Sequence, residues 1–236
     1  MDSPAEIILR YARSGGRRPP RDKEMLEINR TGAYSLWRSI GAATFPPSPI
    51  GRFVGKLPPE ELQGLLLEVQ NCKQVGNLSI NPPPDAAIET VHLPGVQAAL
   101  YIHAEPTGAW GLLMGRIRAY LASLPESPLA AISLEVFPGG QAARLTHLGP
   151  DPLEVDFTNL SVRAVLWDGY RKAGDWFAPK MRFDFPKRIT AIKDWSLDLP
   201  FDHGFSVDEG QVVVAYVTFT IFDGAQPIPV SLESLR

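Results

Sequence analysis

The side chains best equipped for chemistry in this 236-residue chain are four histidines (His92, His103, His147 and His203), one cysteine (Cys72) and a run of acids in the last third. No two histidines stand at the H-E-x-x-H spacing that puts two imidazoles on one helix face for zinc. His92 and His103 flank a turn at Pro94-Gly95 and could face each other across a hairpin. With Glu105 or Asp85 nearby they are the pair that an unrecognised enzyme would use as acid and base. The plainer reading, solvated or hydrogen-bonded strand histidines, is preferred. His103-Ala104-Glu105 imitates the H-x-E of zinc deaminases, whose metal shell needs a downstream P-C-x-x-C that this chain lacks. Neither a G-x-S-x-G elbow nor a phosphate-cradling glycine motif is present. Cys72 closes an apolar helical stripe and reads as a buried structural thiol. Asp194, Asp198, Asp202, Asp208 and Glu209 cluster, but several alternate with Leu197, Leu199 and Phe201, as on the solvent face of a strand, and not in the close spacing of a calcium loop. The expectation is no catalytic residue, no metal and no cofactor, so the function belongs to surfaces.

The elements that must carry those surfaces follow from periodicity and punctuation. Residues 6–12, 25–30 and 34–40 read as strands, and 52–54 as a short extended piece. A helix starts after Leu57: Pro58 and Pro59 suit a first turn, and Glu60 and Glu61 complement the helix dipole. Leu62, Leu65, Leu66 and Val69 form its apolar stripe. Residues 88–92 and 96–103 make the hairpin. A second helix follows Thr107, with Trp110, Leu113, Met114, Ile117, Leu121 and Leu124 at helical spacing. At LPESP (124–128) the period changes from 3.6 to 2. Beyond it short strands recur at 132–137, 142–148, 153–157, 162–167, 187–192, 195–201, 211–222 and 228–232, with turns at Asp168-Gly169 and Asp223-Gly224. The expected fold is an α+β domain over 1–125, an antiparallel sheet with two helices, followed by an all-β, immunoglobulin-like sandwich over 129–236.

A hydrophobic fraction of 44% allows a core, and 23 prolines favour short strands and turns. The net charge of −3 gives no general drive toward nucleic acid. Residues 1–127 hold 13 Lys and Arg against 12 Asp and Glu, and residues 128–236 hold 10 against 14, so neither half is a basic module. No stretch approaches the roughly 20 apolar residues of a membrane helix, and MDSPAEIILRYARSGG has no signal-peptide run. The expectation is cytoplasmic residence. A lone cysteine leaves no intrachain disulfide.

Two surfaces stand out. Arg13, Ser14, Gly15, Gly16, Arg17, Arg18, Pro19 and Pro20 form an exposed loop whose charges are too many to bury unpaired. Residues 169–186 are Gly- and Pro-punctuated, with Trp176, Phe177 and Arg182 as secondary candidates of the type used by interface hot spots. The alternative there is a lid on the second core. Interleaved basic and aromatic residues in this stretch also suit single-stranded nucleic acid, but the negative balance of that half disfavours it.

The opening strand running into Arg13-Ser14-Gly15-Gly16, the strand Leu26-Glu27-Ile28, Gly32, the helix start Leu57-Pro58-Pro59-Glu60-Glu61-Leu62, the segment Pro83-Pro84-Asp85 and the closing helix to Leu124 make residues 6–124 resemble the emfourin family, small inhibitors of thermolysin-like metalloproteases. The resemblance covers about half the chain. It implies a non-enzymatic, protein-binding function with a metalloprotease as partner. Where the family continues Ser-Gly-Gly with small apolar residues, this chain has Arg17-Arg18-Pro19-Pro20, which implies a different target if the tip makes contact. The second half is similar, in architecture alone, to small immunoglobulin-like sandwiches of bacterial binding and inhibitor proteins. A structural or assembly role is the alternative.

Overall fold

The computed structural model describes residues 6–15, 22–39, 49–81, 83, 86–101, 104–124, 128–137, 142–169, 171–177, 186–200 and 204–235. Most of them lie in strands, and two helices complete a sheet-rich fold. No described helix is long and apolar enough to cross a membrane. Contacts divide the chain into two compact units, Met1–Arg38 with Arg52–Ser127, and Ser39–Gly51 with Pro128–Arg236.

In the first unit Ile7–Gly15 (β1) pairs antiparallel with Asp22–Asn29 (β2), which pairs with Ala33–Arg38 (β3). Ile50–Lys56 (β4) lies beyond β3 and changes unit along its length. On the other side of β1 stand Ala87–Leu93 (β6), Val96–Tyr101 (β7) and the two-residue Leu78–Ser79 (β5), giving the order β4-β3-β2-β1-β6-β7-β5. Alternation sends Leu9 and Tyr11 of β1, Leu26 and Ile28 of β2, and Leu36 of β3 to full burial. An irregularity between Ile7 and Leu9 places an extra residue on β1, so the consecutive Ile8 and Leu9 are both buried.

The helix Pro59–Val75 (α1) begins and runs as its sequence dictates, with proline in the first turn and Glu60 and Glu61 behind it. Its buried stripe is rotated from the expected one. Leu65, Val69 and Cys72 are inside, and Leu66 is exposed. The hydrophobic spacing fits both faces, and the neighbouring sheet and helix choose between them. The second helix, Gly108–Ser123 (α2), buries Trp110, Leu113, Met114, Ile117, Tyr120 and Leu121. The helices are clamped together by a two-armed bond from Arg116 to Glu68 (both 2.8 Å) and by the Trp110 indole N–H donating to the Gly76 carbonyl (2.9 Å) at the end of α1. Trp110→Phe keeps an aromatic ring but removes the indole N–H bond and part of the buried volume, so a loss of about 2–3 kcal/mol in chemical denaturation is expected.

Among the described residues of the second unit the regular elements are all strands. Pro128–Val136 (β8), Ala142–Leu148 (β9) and, after Leu153–Asp168 (β10), Arg171–Phe177 (β11) and Arg188–Ala191 (β12), the strand Ser196–Pro200 (β13) are joined by Gln211–Asp223 (β14) and Gln226–Leu235 (β15). One sheet runs β13-β9-β8. The other runs β11-β10-β14-β15, with β12 also on β10, and β8 packs against β15. Two expected strands, 153–157 and 162–167, are one strand, β10. Between Asp156 and Ser161 its partners advance only from Thr220 to Thr218, so the extra residues form a bulge. That bulge switches the inward parity from Val155 and Phe157 to Val162 and Ala164, which a linear reading sees as a gap. The Asp168-Gly169 turn leads into β11, a strand that the sequence reading leaves irregular because its exposed residues do not alternate. Asp223-Gly224 leads into β15.

Candidate functional site

The β1–β2 hairpin carries the leading candidate surface, and its base is held by charge. Four strands place one charged residue each at a common register position: Glu24 opposite Arg38, Arg13 opposite Glu24, and Arg13 opposite Glu89. All four share parity with core positions of their strands, two residues beyond Leu26, Leu36, Tyr11 and Val91 respectively. They therefore project from the face that is otherwise packed with Leu and Tyr. The Arg38 Nε donates to Glu24 Oε1 at 2.6 Å, and its guanidinium also reaches the Leu121 carbonyl of α2. Arg13 approaches the second Glu24 oxygen at 3.7 Å. Glu89 accepts from the Tyr11 hydroxyl at 3.0 Å and from Arg118 of α2 at 3.0 Å, and Arg118 also donates to the Ala104 carbonyl at 3.2 Å.

Three guanidiniums and two carboxylates thus meet between the sheet and α2, and Glu24, Arg38 and Glu89 are each less than a tenth exposed. Buried charges are tolerated only when paired and hydrogen-bonded, and here each carboxylate has two partners. The Tyr11 hydroxyl is pushed far above its ordinary value, first by burial and then by Glu89 and Glu24, so it stays a proton donor. The arrangement consumes its charges internally. Its chemistry is mechanical: it locks β1, β2, β3, β6 and α2 together two residues below the last described rung, Gly15–Asp22.

Of the residues expected to meet a partner, Arg13 belongs to this charge row, Ser14 is exposed opposite Lys23 and Ile88, and Gly15 pairs with Asp22 and Ala87 as the last rung. Gly16, Arg17, Arg18, Pro19 and Pro20 lie outside the described residues. The sequence alone does not single out Glu24, Arg38, Glu89 or Arg118. The available signal was a charge at a core-parity position in each of three strands.

The secondary candidates lie on β11. Trp176 is half-buried opposite Ala164, and Phe177 is 59% exposed opposite Arg163. The Arg163 guanidinium is held in plane by two bonds to Asp175 (both 2.8 Å), with its carbon 5.0 Å from the Phe177 ring centre and 5.8 Å from that of Tyr216. Lys172 also contacts Asp175. Bonding to Arg163 holds the Asp175 carboxyl down at about 2. Arg182 lies outside the described residues.

The remaining candidates are dispersed. His92 is exposed, with Arg10 and Gln97 as its strand partners, and the β6–β7 ladder closes at Ile88–Tyr101. That register puts Gln97, not residue 103, across from His92. His103, His203 and Asp85 lie outside the described residues. Cys72 is fully buried, and burial pushes its thiol up to about 11, well away from thiolate chemistry. Asp198 is engaged by Arg144 at 2.6 and 3.0 Å, on the exposed face of β9 and β13. Among the described residues no three His, Cys, Asp or Glu side chains converge as a metal shell would require.

Comparison of the chain with family models, with curated proteins and with solved structures returned no match in any of the three.

Proposed function

We propose that this chain is a non-enzymatic, protein-binding protein that presents the tip of its β1–β2 hairpin to a protein partner, and that the partner is a thermolysin-like metalloprotease. The observation that carries the reading is the buried charge row beneath the hairpin. A binding loop gains affinity when its anchor points are ordered before contact, because less conformational entropy is lost on association. Here Arg13 and Glu24, two residues from the last rung of the hairpin on either strand, are tied into the row. Prolines 19 and 20 restrict the connecting segment further. The resemblance of residues 6–124 to the emfourin family supplies the class of partner. In the same reading the first unit is an α+β domain, supported by its two helices and a sheet whose strands pair antiparallel except for the short β5, parallel to β7. The second is an immunoglobulin-like β-sandwich, supported by its two sheets and the β8–β15 contact.

The test is inhibition of a panel of thermolysin-like proteases by the intact chain. The expected result is nanomolar-to-micromolar inhibition, weakened at least tenfold, about 1.4 kcal/mol or more, in R17A/R18A at unchanged unfolding midpoint. Inhibition by wild type that R17A/R18A leaves intact but F177A weakens would move the binding surface to β11. No inhibition of any panel member would remove the protease from the proposal.

A further inference from the structure

We infer that His147 is an acid-sensitive latch in the second unit, holding the turn Ile192–Trp195 and the edge strand β13 onto β9 while neutral and releasing them when protonated. His147 sits opposite Ile132 on the face of β9 shared with Leu145 and Ala143, and it is 4% exposed. Neither ring nitrogen has a partner at hydrogen-bonding geometry. A neutral imidazole so placed already has unmet polar atoms, and a second proton would add a buried charge with no anion to receive it. Burial accordingly lowers its titration below the ordinary 6.5, with the Asp151 backbone opposing only in part.

Among the described residues, the charged groups on the surrounding elements do not supply that anion. Glu135, Arg144 and Asp198 occupy one register row on the opposite face of β8, β9 and β13, where Arg144 binds Asp198. Lys193 and Asp194 are exposed in the turn, and Asp151 acts through its backbone. In the other sheet, Glu154 and Asp156 alternate with the buried Val155 and Phe157 and so face outward. Glu233 holds the register position opposite Tyr216, and Asp223 stands at the β14–β15 turn.

What the latch holds is equally specific. The His147 backbone N–H donates to the Trp195 carbonyl at 2.9 Å, immediately before the first β9–β13 rung at Thr146–Ser196. The turn is closed by Trp195 N–H to the Ile192 carbonyl (2.9 Å) and contains Asp194 in left-handed backbone (φ 67°), a conformation that docking must maintain. The Trp195 ring stacks on Phe157, 6.4 Å between centres. β13 is the outermost strand of its sheet, joined through β9. Displacing the imidazole toward water therefore acts on the backbone bond that starts the edge strand.

The sign follows from linkage. The closed state binds the proton less readily than the released state, so closure is fully favoured above about pH 6.5 and weakens as pH falls through that value, by up to about tenfold per pH unit. The test is amide hydrogen exchange on the intact chain at pH 7.5 and 5.5, corrected for intrinsic rates. Protection at residues 195–199 and 143–148 is expected to fall about tenfold at the lower pH, with β14 unchanged. His147→Phe, apolar and non-titrating, is expected to show no such fall. An equal loss in H147F, or no loss in wild type, overturns the proposal. Should H147F not fold, the titration of His147 in the wild-type chain by NMR decides: a value of 6.5 or above overturns the latch, and a lower value, with protection falling between pH 6.5 and that value, supports it.

Discussion

Glu24→Ala is expected to destabilise the protein by about 3–5 kcal/mol, the range for removing one partner of a buried ion pair. The side chain lies in the middle of the charge row, bonded to Arg38 on one side and near Arg13 on the other. Arg38 is 6% exposed and ends against the Leu121 carbonyl, so it cannot turn to water without unpacking β3 from α2. Removing the carboxylate leaves that guanidinium desolvated and without its anion. A typical domain has only about 5–15 kcal/mol in total, so the loss is a large share and urea unfolding measures it directly. Two companions separate the pair from its burial. Replacing both members with apolar residues, E24L/R38M, is expected to recover most of the loss, since a pair's net contribution is small once both charges are gone. Glu27→Ala breaks the Arg10–Glu27 bond on the opposite, exposed face and is expected to cost less than about 1 kcal/mol. A loss for Glu24→Ala as small as that for Glu27→Ala would mean that the row is not a desolvated structural element. The hairpin would then lack a rigid base.

Gly51→Ala is the second large effect, about 2–5 kcal/mol from left-handed backbone strain and overpacking together. Gly51 has φ 130°, and a Cβ built on it would lie 2.2 Å from the Ala130 carbonyl oxygen and 2.6 Å from the Ala131 Cα. Both obstacles are backbone of β8, so no side chain can move aside. Gly95, at φ 93° with nothing within 4 Å, carries the backbone term alone. Gly95→Ala is expected to cost about 1–2 kcal/mol. Thermal unfolding of the two variants side by side separates close approach from conformation. Equal losses would mean that β8 shifts freely.

Local structure was largely legible in the sequence. Proline and acid positions placed the start of α1, the apolar spacing located α2, and Pro94-Gly95, Asp168-Gly169 and Asp223-Gly224 lead from one strand to the next as their turn chemistry demands. The rotated stripe of α1 was not legible, because Leu62, Leu65, Leu66, Val69 and Cys72 offer two overlapping faces and only the packing partner selects one. The bulge of β10 read as a loop because a change of inward parity looks like a break in one dimension. Segment 39–51 clusters with residues 128 onward, a grouping that sequence order alone does not contain.

The candidate site divides in the same way. Arg13 and the basic, proline-containing segment after it stood out by composition, and the charges at core parity in β2, β3 and β6 were visible once the strands were known. That they neutralise one another was decided by tertiary structure alone. Parity within a strand is set by the two-residue repeat of one chain segment, whereas the neighbour at a given rung comes from a strand far away in the sequence, as Glu89 is from Arg13. Sequence determined which residues face inward. Strand order and register determined that the inward charges meet as pairs, which avoids the cost of burying a charge unpaired.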